Sequence, residues 1–98
     1  MFTRIVKMEF KPREVAAFLA NFERVKHNIR AFSGCQHLEL WQDKQNENVF
    51  FTYSHWDKPE SLEAYRNSEL FREVWSSTKT LFNARPEAWS VDTLHRLS

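Results

Sequence analysis

The sequence predicts an α+β fold in which helices cover one face of a four-stranded antiparallel sheet. Three observations carry this. Period-two alternation occurs at about residues 2–10, 36–42, 49–56 and 88–94, and two longer segments, about 12–30 and 57–82, repeat apolar residues every three or four positions. The two kinds of segment also run in the order strand, helix, strand, strand, helix, strand.

In the first strand, Phe2, Val6, Met8 and Phe10 share one side, with Ile5, Lys7 and Glu9 on the other. Pro12 follows where a first helical turn tolerates proline. Val15, Phe18, Leu19, Phe22, Val25 and Ile29 then form the apolar stripe of an amphipathic helix from about Pro12 to Arg30. Ser33 and Gly34 are expected to end it, since glycine takes the left-handed conformation most readily.

Gln36 to Gln42 and Val49 to Trp56 read as strands of a hairpin, joined by the polar run Asp43, Lys44, Gln45, Asn46, Glu47, Asn48. Asp57, followed three residues later by Glu60, reads as a capping box with aspartate as the cap, and Pro59 lies in the first turn. Leu62 and Tyr65, then Leu70, Phe71, Val74, Trp75, Thr78 and Leu81 or Phe82, extend a helical stripe with a bend near Asn67 and Ser68. Pro86 marks a break, and Ala88 to Leu94 alternates as a last strand. This order is the split βαβ, or ferredoxin-like, arrangement.

Composition bounds the function. At 98 residues, 42% hydrophobic and 28% charged, residues 1–98 are expected to form one domain. Fourteen lysines and arginines are interspersed with thirteen acids, which argues against nucleic acid or an anionic membrane as a partner. No apolar run approaches the roughly 20 residues of a membrane span, and the opening MFTRIVKMEF alternates, so a cytoplasmic protein is expected. Cys35, the only cysteine, permits no intrachain disulfide and is read as an inert small residue. The single glycine, Gly34, and the absence of paired histidines or acids at ligand spacing leave no phosphate loop or metal motif, so no cofactor and no metal are expected.

Aromatic residues make up 15% of the chain and need burying. If Trp41 pairs with Phe51 in the hairpin, one sheet face carries His37, Glu39, Trp41, Phe51, Tyr53 and His55. The other then carries Leu38, Leu40, Phe50, Thr52 and Trp56; a slip of one residue recombines the sets. Either way both faces keep large apolar groups while helices cover only one. The uncovered face therefore predicts a homodimer with sheets packed face to face about a two-fold axis.

The run WDKPESLEAYRNSELF from Trp56 to Phe71, preceded by a strand and by the Ser33-Gly34-Cys35 turn, resembles the antibiotic biosynthesis monooxygenase family in almost its whole element order. The resemblance implies a dimeric α+β barrel with a pocket in each subunit between sheet and helices. It also implies that some relatives oxygenate polycyclic aromatics without metal or flavin, while others degrade haem. Haem-degrading relatives use an asparagine on the first strand, a tryptophan early in the second helical region and an iron-binding histidine about ten residues later. The matching positions here hold Val6, Tyr65 and Trp75, so the axial ligand is missing and a haem role ranks last.

The candidate catalytic residues are His37, Tyr53 and His55, on neighbouring strands with Glu39 close by; a near-neutral histidine could remove a phenolic proton from an aromatic substrate. Histidines hydrogen-bonded within a dimer interface are the plainer reading. Tyr65, Phe71 and Trp75 are candidate substrate-binding residues that could wall a pocket for a flat ligand, core packing being the alternative. Trp41, Trp56 and Trp89 are read as packing residues, and His27 and His95 as solvated. The leading functional expectation is a small cofactor-independent monooxygenase, an oxidoreductase acting on an aromatic or quinol-like molecule. The competing one is a non-catalytic dimeric module that binds a small hydrophobic metabolite or serves a stress response.

Overall fold

A computed structural model describes residues 1–98. Strand β1 is Phe2–Glu9; a 3₁₀ turn at Pro12–Glu14 leads into helix α1, Val15–Arg30. Strands β2 (Cys35–Gln42) and β3 (Val49–Trp56), helices α2 (Pro59–Arg66) and α3 (Glu69–Thr78), a 3₁₀ turn at Lys79–Leu81 and strand β4 (Glu87–Val91) complete the chain. The strands form one antiparallel sheet in the order β2-β3-β1-β4, the ferredoxin-like order, with α1, α2 and α3 on one face.

The hairpin takes the register in which Trp41 pairs with Phe51, with a bulge between Cys35 and His37. Its loop is held by Asp43, whose Oδ2 accepts the Gln45 and Asn46 N–H groups at 3.1 and 2.8 Å. In α1, Phe18, Val25 and Ile29 are buried, but Leu19 is 41% exposed, because it sits a full 100° step around the helix from Phe18. Leu19 therefore leaves the expected stripe. Helix α1 ends at Ala31 with ordinary helical geometry, and Gly34 instead shapes the turn into β2, at φ +92°. A Cβ on Gly34 would run into Ser61 of α2, and the Gly34 carbonyl accepts the Asp57 N–H at 2.9 Å. That glycine fixes how α2 docks.

Two other expectations are corrected. The capping box at Asp57 and Glu60 does not form: Pro59 opens α2, which makes Lys58 the cap and moves Asp57 outside the helix, and no side chain caps this end. The last strand stops at Val91 rather than Leu94: Thr3 pairs with Val91 and β1 begins at Phe2, so Thr93 and Leu94 fall beyond the end of β1. The bend near Asn67 and Ser68 is a complete break between two helices. Ser68 Oγ accepts the Phe71 N–H at 3.1 Å and donates to the Tyr65 carbonyl at 2.6 Å, capping α3 while holding it to α2.

The core has two parts. Val25, Ile29, Cys35, Trp56, Leu62 and Tyr65 form one cluster, and Met8, Phe10, Phe18, Phe50 and Leu81 the other. Cys35 is buried, and burial raises its thiol pKa, as suits an inert packing residue. No helix is long and apolar enough to cross a membrane.

Candidate functional site

Alternation along β2 and β3 divides the candidate residues between the two sheet faces. Leu38, Thr52, Ser54 and Trp56 point toward the helices, whereas His37, Glu39, Trp41, Tyr53 and His55 point away. Consequently the structure brings together His37, Tyr53 and His55 as one group, and Tyr65, Phe71 and Trp75 as another. The sheet lies between the groups.

On the outer face, His37 and His55 are cross-strand partners with ring centroids 5.1 Å apart. His55 Nε2 is 2.8 Å from the Tyr53 hydroxyl, His37 Nε2 bonds to one Glu39 oxygen, and Trp41 Nε1 donates to the other at 2.7 Å. Trp41 stacks on Tyr53 at 4.7 Å. Desolvation, then the positive charges of His37 and Arg96, push the His55 pKa down against the opposing pull of Glu39. The bonds from His37 and Trp41 hold the Glu39 carboxyl below its ordinary value. This cluster can relay a proton, but it lies in an open, polar depression that shields no reactant from water.

On the helix face, a cavity of about 370 Å³ lies between the two core clusters and draws lining from both. Its helical wall holds the three aromatic candidates: Tyr65 meets Phe71 edge-on at 5.2 Å, and Phe71 and Trp75 lie nearly parallel at 5.9 Å. Val6, Leu38, Thr52 and Ser54 form part of the sheet side. Burial holds the Tyr65 phenol pKa well above its usual value, so it stays an O–H donor through the neutral range. The volume falls at the low end of the roughly 300–1,000 Å³ of small-molecule sites. No three histidine, cysteine or acidic side chains are placed together to hold a metal ion.

Sequence reasoning missed Arg4 and Arg66, both of which line this cavity. Arg4 had a legible signal, since it shares the helix-facing side of β1 with Val6 and Met8, where a charge is out of place. Arg66 had none, because a basic residue in the last turn of a helix is ordinary.

A family model described as antibiotic biosynthesis monooxygenase matches residues 1–75. Among solved structures, a crystal structure of an antibiotic biosynthesis monooxygenase superposes with a TM-score of 0.90 at 16% identity, covering 97% of this chain and 100% of that one. A conserved protein from Methanosarcina mazei Go1 gives 0.87 at 19% identity over 94% and 92% of the two chains. A protein from Pseudomonas aeruginosa gives 0.85 at 21% over 96% and 94%. At these identities the structural likenesses establish the fold alone. No curated protein matches the sequence.

Proposed function

Because this chain belongs to the antibiotic biosynthesis monooxygenase family, we propose that it is a small cofactor-independent monooxygenase. In this reading it oxygenates an aromatic or quinol-like molecule held in the cavity between sheet and helices. The observation that carries the reading is the cavity itself: apolar, of ligand size, and walled by Tyr65, Phe71 and Trp75. A phenolic substrate with a CH2 group between its rings supplies the chemistry. Bound as its phenolate, it reacts with dioxygen at the electron-rich CH2 carbon; one oxygen atom becomes the carbonyl that replaces CH2, and the other leaves as water with the two hydrogens of that CH2. All the electrons come from the substrate, so no metal or flavin is required. The protein's part is to exclude water, orient the rings and donate a hydrogen bond from Tyr65 to the developing oxyanion.

Oxygen uptake in the presence of EDTA, across a panel of polycyclic phenols, tests this. Uptake that the chelator leaves unchanged is expected; no uptake, or uptake that EDTA abolishes, contradicts the reading.

A second reading is favoured by the bonded cluster His37, Glu39, Trp41, Tyr53 and His55. If a second copy packs its sheet on this face, the cluster becomes enclosed, and its role is either proton transfer there or purely structural contact within a homodimer. His37→Ala with His55→Ala separates these roles: turnover lost from an intact dimer means proton transfer, and loss of the dimer means contact.

A further inference from the structure

Arg4 and Arg66 are the only cationic side chains lining the cavity. Arg4 lies on β1, a strand flanked on both sides, and its guanidinium donates to Ser90 Oγ at 3.0 Å while pairing with no carboxylate. Arg66 holds only a long 3.8 Å contact to Glu63 on its own helix, with both side chains half exposed. Glu87, the one acid of the lining, pairs in register with Lys7 and ion-pairs with neither arginine. Burial lowers the Arg4 pKa, and the nearby charge of Arg66 lowers it further, as two cations facing one apolar space must. That arrangement costs free energy unless an anion joins it.

Resting on the reading of the cavity as the substrate site, we propose that Arg4 and Arg66 select a ligand carrying a carboxylate at one end of its aromatic body. The planar guanidinium fork matches a carboxylate through two parallel hydrogen bonds. The apolar aromatic wall beyond it matches the rings, so one molecule satisfies both halves of the site. Arg66 faces solvent, which places the acid group at the open end and sends the rings inward.

Calorimetric titration with 2-naphthoate and with its neutral isostere 2-naphthamide tests the proposal on the intact protein. Wild type is expected to bind the acid at least about tenfold more tightly than the amide, charge-assisted bonds being worth that much. Arg4→Gln with Arg66→Gln is expected to abolish the preference while the amide still binds and the melting temperature does not fall, since the repulsion between the two cations is relieved; Arg66→Gln alone, at an exposed position, reduces it partway. Equal affinity for acid and amide in wild type, or a preference that survives the double substitution, overturns the proposal and leaves the oxygenase reading standing. Failure to bind either compound overturns both.

Discussion

His55 illustrates what a single residue's surroundings do to its chemistry. Its ring bonds to Tyr53, and it is faced by His37, Arg96 and Glu39; partial burial and the two cationic neighbours disfavour its charged form. The unfolded chain therefore takes up this proton at a higher pH than the folded one. By linkage, stability rises with pH through that window, and the contribution is lost as pH falls below the ordinary histidine value of about 6.5. Melting temperature is expected to drop on going from about pH 7.5 to about pH 5, and His55→Gln to shrink that drop. An identical pH dependence in the variant would show that other groups carry it. The identities of His37, Tyr53 and His55 could be read from the chain, and so could their grouping, since it follows from strand alternation once Trp41 is opposite Phe51. Which face they occupy relative to the cavity could not, because periodicity says which residues share a side and not which side the helices choose.

The elements were legible to the extent that their signals are local. Strand alternation and the helical stripe come from spacing alone, and the bend near Asn67 came from interrupted apolar residues. Capping was misread because a proline overrode the spacing of a capping box. Asp57 and Glu60 have the right spacing, but Pro59 sets where α2 begins, and the working cap is Ser68, one helix later. Ser68→Ala removes both the bond from Phe71 N–H and the bond to the Tyr65 carbonyl. A loss of about 1 kcal/mol is expected, seen as a melting temperature lower by about 4–8 °C. Because Tyr65 and Phe71 flank this junction, aromatic ligand affinity should fall along with stability. Unchanged melting would mean the two helices are fixed by packing alone. The end of β4 was illegible for a different reason: Thr93 and Leu94 continue the alternation, but only the length of β1 decides that they have no partner.

For the whole molecule, the uncovered sheet face remains to be accounted for. Trp41 is 40% and Trp89 44% exposed, with Val91 beside them on the same side as Ile5 and Tyr53. Burying such a patch against its symmetry mate removes it from water. Sedimentation equilibrium is expected to give a dimer, and Trp41→Asp together with Trp89→Asp a monomer that keeps the fold; a wild-type monomer would leave the face without an occupant. The cavity on the opposite face is a separate matter, formed within one chain by the gap between two core clusters. No pattern in the sequence announces a gap, since Tyr65, Phe71 and Trp75 have the same spacing whether they fill a core or line a pocket.

The most direct test of the account is the rate of oxygen uptake on an oxidisable polycyclic phenol, compared among wild type, Trp75→Ala, and the His37→Ala, His55→Ala pair. Removing one stacking wall is expected to cost about 0.5–1.5 kcal/mol, so kcat/KM should fall about two- to twelvefold in Trp75→Ala, with the larger loss there than in the histidine pair. Loss confined to the histidine pair, with Trp75→Ala at the wild-type rate, would contradict the account and move the chemistry to the outer face of the sheet.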